Sequence, residues 1–466
     1  MPENLPETLG ALVESGYKSR SVKEEIRTNL VKRISDDLEV FPGIVGFDQS
    51  VIPQIQNAIL AGQDIILLGE RGQAKSRIIR LMVDLLDDHI PFIKGSEIND
   101  DPLHPISQYG IEILAEDKND TKLSWLSKED RYSEKLATPD VSVADLIGEI
   151  DPIKVAEGRY LSDALAIHYG MIPRTNRGLF CINELPDLTE RIQVSLFNLM
   201  QERDIQIKGH QIRLPLDMII VATANPEDYT NRGRIITPLK DRYGAQIRTH
   251  YPAEVSQEME IVNQEYKKFS DSDQLVKIPE FMKDIIGEIT HLARRSPEIN
   301  QRSGVSLRVS ISNFETMIGQ SFRRSLATNS VSSPRISDLS YLIASTIGKV
   351  ELETVEEGLE TKIIGDIVDR AVSNVFAKYT EPDEFDFLLG KFEEGLTVQS
   401  GSSISDGEYL EAIKDSETLQ QKLILLCNPL TDSSAIISAL EFILEGLYLG
   451  SKLSKDSQNN NAKYLI

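Results

Sequence analysis

The sequence predicts an α/β fold: a core built on a central parallel sheet, followed by an all-α lid and further C-terminal helices. Three observations carry that expectation. The apolar runs Ile65–Leu68, Leu179–Ile182 and Met218–Ala224 are continuous rather than alternating, the pattern of strands covered on both faces. Stretches of helical periodicity separate them, as the crossovers between parallel strands require. From about Val255 to Gly348 the apolar spacing is helical throughout.

Taken in order, residues 1–40 form an N-terminal helical segment, with Val22, Ile26, Leu30 and Ile34 on one face. Phe41-Pro-Gly-Ile-Val-Gly-Phe-Asp48 is a turn leading into a helix over Val51–Leu60, which feeds the first buried strand. Ile44 and Val45 are candidates for the wall of a base pocket, with plain core packing as the equal alternative. After that strand come Gly69 and Gly72, then Lys75-Ser76, then a helical pattern through Ile78, Ile79, Leu81, Met82, Leu85 and Leu86. Strand, glycine loop and helix in this order are the context of a phosphate-binding loop, in which backbone N–H groups and the helix dipole face an anion. The candidate ATP-binding residues are Gly69, Glu70, Arg71, Gly72, Gln73, Ala74, Lys75, Ser76 and Arg77. Lys75 would reach the β- and γ-phosphates, and the Ser76 hydroxyl would bind Mg²⁺. Ala74 stands where the usual pattern has glycine. If that position needs positive φ, alanine there costs about 1–2 kcal/mol.

Pro91-Phe-Ile-Lys-Gly95 reads as a second strand, and the polar stretch near 96–140 as an insertion. His104, beside Pro105, is a turn residue with no second ligand at metal spacing. Leu179–Ile182 delivers Asn183-Glu184 at its C-terminal end, where α/β sheets place their chemistry. Glu184 is the candidate for orienting an attacking water and Asn183 for meeting the Mg²⁺ shell through its oxygen. An N-cap at a strand–helix turn is the bland alternative. Asp204–Leu214 alternates around Lys-Gly-His, a hairpin signal. Met218–Ala224 ends at Asn225-Pro226, where the amide would read a γ-phosphate or simply make a turn. The core therefore spans 41–252, the α-helical lid 253–350, and an acidic helical region 351–466, with a linker by composition near 396–407 and a frayed polar tail.

With 466 residues, 40% hydrophobic and 26% charged, the chain has ordinary globular composition and room for several domains. The net charge of −23 argues against general nucleic-acid binding, and 22 acidic against 9 basic residues after position 350 put 13 of those charges in the last quarter. Two cysteines, Cys181 and Cys427, exclude a disulfide framework or Cys-rich metal centre. No apolar run reaches membrane-spanning length and no secretory leader is visible, so a cytoplasmic protein is expected.

Over roughly residues 41–350 the ordered motifs resemble the AAA+ ATPases, and within them the clade of MoxR proteins and magnesium-chelatase I subunits. The motifs are Gly69–Ser76 as Walker A, Ile182-Asn-Glu184 as Walker B, Ala224-Asn-Pro226 as sensor 1, Leu239–Tyr243 as the arginine-finger segment and Ser306-Leu-Arg308 as sensor 2. Ala74 and the run from Leu199 to Gly209 look MoxR-like, whereas Asp145–Asp151 and Asn176-Arg-Gly178 look chelatase-like. The resemblance implies an ATP hydrolase working as a hexameric ring. Glu184 and Asn225 would serve catalysis, Arg242 would act on the neighbouring subunit's nucleotide, and Arg308 would act from the lid. It further implies remodelling or activation of a partner protein, commonly one with a von Willebrand factor A domain. Asparagine at 183, where aspartate is usual, implies weaker Mg²⁺ binding or slower turnover. The alternatives are a nucleotide-gated scaffold with little turnover and a genuine magnesium chelatase subunit.

Overall fold

The computed structural model describes residues 5–150, 167–202, 214–225, 234–354, 358–381, 383–401, 404–414, 416–458 and 461–466. They divide into two units, Met1–His250 and Tyr251–Ile466. In the first, the strands are β1 (Ile65–Leu68), β2 (His89–Ile93), β3 (Leu123–Ser127), β4 (Tyr132–Leu136), β5 (Gly148–Ile150), β6 (Ile167–Tyr169), β7 (Gly178–Asn183), β8 (Met218–Ala224) and β9 (Ala245–Arg248). Five of them make one sheet in the order β4-β7-β8-β1-β9, with every neighbouring pair parallel.

The continuous apolar runs are explained by cover on both faces. Ile65, Leu67, Leu179, Cys181, Ile219 and Val221 share a core with helices α1 (Val22–Ser35), α2 (Val51–Leu60) and α3 (Lys75–Leu81). Ile66, Phe180, Ile182, Ile220 and Ala222 pack on the other side against helix α4 (Glu190–Glu202) and helix α5 (Thr237–Arg242). Successive side chains along each strand point to opposite faces, which sorts them between these two layers.

Helix α1 is fixed to the foot of the sheet by charge as well as by apolar contact. The Arg131 guanidinium donates to both carboxylate oxygens of Glu25 at 2.6 Å, and its Nε donates to the Arg177 carbonyl at 2.7 Å. Both side chains are almost fully enclosed, at 1% and 4% exposure. Asp217 accepts the Val22 N–H at 2.8 Å, and burial pushes its carboxyl up. Asn176 and Arg177 work at this same end, donating to the carbonyls of Ile98 and Pro91.

One expectation changes here. The stretch near 96–140 is no simple insertion: its last strand, β4, is the edge strand of the central sheet, running parallel to β7. Its sequence, Tyr-Ser-Glu-Lys-Leu, is polar because an edge strand has one neighbour and much solvent. The strand expected at Pro91 exists, but it pairs antiparallel with β3 outside the central sheet.

The second unit is mostly helical, with long helices at Glu280–Ala293, Arg308–Thr328, Leu359–Tyr379 and Ser433–Leu449. One core runs from Met259 to Tyr464, so residues after 350 pack with those before. The polar tail is not frayed. β11 (Ser454–Gln458) and β12 (Asn461–Leu465) are antiparallel, and β12 also pairs with β10 (Val398–Gly401), inside the stretch whose composition reads as a linker. Tyr464 is buried at that sheet's centre and donates to Glu445. Among the described residues no helix is long and apolar enough to cross a membrane.

Candidate functional site

The loop after β1 is held open by its backbone. A Cβ on Gly69 would come within 1.9 Å of the Thr249 hydroxyl oxygen and 2.3 Å of Gln73 Oε1, so only glycine fits. Gly72 has φ +75°, and Ala74 lies in the left-handed region at φ +53°. The buried Gln73 pins the curl: its Oε1 accepts the Glu70 N–H at 3.0 Å and the Thr249 hydroxyl at 2.7 Å. Thr249 follows β9, so the loop is anchored to the strand on its other flank.

Ala74 meets the condition under which alanine is strained. Ala74→Gly should release about 1–2 kcal/mol of left-handed strain against an unfolded-state cost of about 0.4–1 kcal/mol. The expected net gain of about 0.5–1 kcal/mol should appear as a higher urea midpoint with an unchanged slope.

Lys75 opens α3 and curls back under the loop, its Nζ donating to the Gly69 carbonyl, to the Glu70 carbonyl at 2.7 Å and to Asn225 Oδ1 at 2.9 Å. Asn225, buried at the end of β8, donates its Nδ2 to Glu184 Oε2 at 3.3 Å. Lys75, Asn225 and Glu184 thus form one polar chain across the C-terminal ends of three adjacent strands. Glu184 itself is left-handed, at φ +60°, with its N–H held by Thr223 Oγ1 at 3.0 Å. A carboxylate residue in αL is a strained placement that the surrounding structure must enforce.

Asn183 sits beside Ser76, with Nδ2 3.4 Å from Oγ. The amide does not offer its oxygen there, as the sequence led us to expect. Its Oδ1 accepts the Thr223 hydroxyl at 2.5 Å, and its Nδ2 donates to Glu134 Oε1 at 3.0 Å. A carboxylate can only accept, so Glu134 fixes which way the amide faces. The Ser76 hydroxyl with a carboxylate one strand away is a hard-oxygen set that fits a divalent cation such as Mg²⁺. The curled loop with its lysine fits a polyphosphate.

The flanking turn lies close to this loop. The Phe47 ring meets His250 edge-on at 4.9 Å, and His250 follows Thr249. Ile44 is buried in the core of that layer and Val45 is half-buried. Glu70 and Arg77 are half-buried and Arg71 is exposed. Arg242 is exposed at the end of α5, its Nη2 2.8 Å from Gln201 Oε1 and its guanidinium 5.4 Å over the Phe197 ring. Arg308 is exposed at the start of its helix in the second unit. Pro226, residues 204–213 of the expected hairpin and residues 151–166 lie outside the described residues. Burial pushes the Cys181 thiol up to about 12, which removes it as a nucleophile. Sequence reasoning missed Thr223 and Glu134, and it named Gln73 as a loop residue without its anchoring role. The alternation Tyr132-Ser-Glu134 was the available signal for Glu134, once β4 is placed beside β7.

Among known proteins, a family profile described as "Sigma-54 interaction domain" matches residues 155–240. The chain is 28% identical over 258 residues to "Magnesium-chelatase subunit ChlI" of Euglena gracilis, covering 51% of this chain and 68% of that protein. It is 25% identical over 228 residues to the protein of the same name in Mesostigma viride, covering 47% and 59%. The second match thus spans less than two thirds of its relative. Among solved structures, the chain is similar to a magnesium chelatase complex between subunits BchI and BchD, at 17% identity and a TM-score of 0.33, over 74% of this chain and 97% of that one.

Proposed function

We propose that the chain is an AAA+ ATPase of the MoxR and magnesium-chelatase-like kind, and that it works as a ring to remodel or activate a partner protein.

 The expected assembly is a hexamer. The observation that carries the ATPase reading is the convergence of Lys75, Ser76, Glu184 and Asn225 at the C-terminal ends of adjacent parallel strands, where open α/β sheets bind ligands.

In this reading the loop Gly69–Ser76 and Arg77 cradle the phosphates of ATP, and Ile44 and Val45 wall the base. Bound Mg²⁺ supplies charge neutralisation of the phosphates. Lys75 leaves Asn225 for the γ-phosphate, and Asn225, released on one side, reports that phosphate's presence to Glu184. Glu184 orients the attacking water and takes its proton. Arg242 reaches the neighbouring subunit's nucleotide, and Arg308 acts on the nucleotide from the lid. The partner is a protein with a von Willebrand factor A domain, and the acidity of residues 351–466 suits the acidic ligands that such a domain's metal site takes.

A second reading, a nucleotide-gated scaffold with little turnover, is favoured by one observation: the Asn183 oxygen faces Thr223 rather than Ser76. Turnover measured against protein concentration separates the two. A ring enzyme should show a rate per subunit that rises with concentration. Nucleotide binding with no turnover at any concentration would overturn the motor and leave the scaffold.

A further inference from the structure

We propose that Glu134 supplies the carboxylate of the cation site, replacing from the neighbouring strand the charge that Asn183 lacks. The inference rests on the nucleotide-site reading above and extends it to a residue outside the five motif segments.

Strand register places Glu134 there. In the β4–β7 pairing Glu134 lies opposite Cys181, and Leu136 opposite Asn183. Paired residues on parallel strands share a face, and residues two apart on one strand do too. Glu134, Cys181 and Asn183 therefore point to one side of the sheet. That side is the α3 layer, since Cys181 packs in the same core as Ile78 and Ile79 of α3. Ser76 is the second residue of α3. The contacts agree: Glu134 Oε1 lies 3.0 Å from Asn183 Nδ2, which lies 3.4 Å from Ser76 Oγ.

The other oxygen of Glu134 is used to hold the side chain in place. Oε2 accepts from the Tyr132 hydroxyl at 2.9 Å and from Arg80 Nη2 at 3.0 Å. Arg80 is 65% exposed and Glu134 only 21%, so solvent screens the arginine more than the carboxylate it meets. Oε1 is left to the Asn183 amide and to the site beyond it. An asparagine at 183 then has a positive function. Its Nδ2 makes the hydrogen bond that an aspartate could not make, and an aspartate would set two like charges about 3 Å apart.

The test is nucleotide binding, not turnover. A fluorescent ATP analogue is titrated onto the full chain at increasing Mg²⁺, and Mn²⁺ binding is followed by electron paramagnetic resonance. Glu134→Gln should raise the Mg²⁺ concentration for half-maximal tightening by about 10- to 100-fold and leave Mg²⁺-free nucleotide affinity unchanged. Arg80→Gln, which removes the exposed ion pair and keeps the carboxylate, should shift it little. Asn183→Asp alone should not tighten Mg²⁺ binding, whereas adding Asn183→Asp to Glu134→Gln should restore it. An unchanged Mg²⁺ dependence in folded Glu134→Gln, or tighter Mg²⁺ binding in Asn183→Asp alone, would overturn the proposal. Should Glu134→Gln fail to fold, Asn183→Asp decides by itself. Failure of the wild-type chain to bind nucleotide would instead count against the nucleotide-site reading beneath it.

Discussion

Arg242→Ala is expected to lower ATP turnover by about 10³- to 10⁵-fold while leaving nucleotide affinity close to that of the wild type. Phosphoryl transfer spreads charge over the equatorial oxygens, and a guanidinium stabilises that charge only as it develops. Arg242 is placed for an outward reach. It is exposed, it ends a helix, and among the described residues its side chain meets one neutral amide and one aromatic face. Among the described residues no carboxylate of this chain lies within ion-pair distance of it, so pairing with the adjacent Asp241 is not observed. The measurement is steady-state turnover of the variant, followed by mixing it with the Glu184→Gln variant. A finger acting in trans predicts that two inactive chains regain activity together, because a Glu184→Gln subunit can lend Arg242 to a neighbour with an intact Glu184. No recovery on mixing would place the arginine's action within its own chain, or nowhere.

Glu184→Gln should cut hydrolysis by about 10²- to 10⁴-fold and keep ATP bound. Glutamine preserves the size of the side chain and can still meet Asn225, but it cannot take a proton from water. The left-handed backbone at Glu184 and the Thr223 contact to its N–H do not depend on the side chain, so fold and loop geometry should survive. Single-turnover measurements with labelled ATP would check both halves. Loss of binding along with hydrolysis would mean that Glu184 shapes the pocket rather than the chemistry.

The parts of this site that the sequence made legible are those that recur at fixed spacing on buried strands. Gly69, Lys75 and Ser76 follow one apolar run, and Asn183-Glu184 and Asn225 end two others. Continuous burial announces such strands, and the polar residue that terminates each is conspicuous. Glu134 was hidden for the opposite reason. It sits in a polar edge strand whose membership in the sheet depends on a pairing across more than forty residues, which local periodicity does not encode. The orientation of the Asn183 amide was hidden with it, since a neighbour on another strand decides it. Gln73 looked like one loop residue among several because its partner, Thr249, is remote in sequence. The C-terminal strands misread as linker and tail share that difficulty. Polar residues dominate them, and the pairing that joins β10 to β12 spans some sixty residues.

The Glu25–Arg131 pair bears on where the nucleotide unit can be cut. A chain trimmed to begin at Phe41 would retain every residue of the phosphate loop and of the strand ends that face it. It would also strip the counter-charge from a guanidinium enclosed at the opposite end of the sheet. Stranding a buried ion in this way costs about 3–5 kcal/mol, a large share of the roughly 5–15 kcal/mol that keeps a domain folded. The minimal ATP-handling piece is therefore set by an electrostatic debt on the far edge of the sheet, and helix Val22–Ser35 belongs to it as firmly as the loop does.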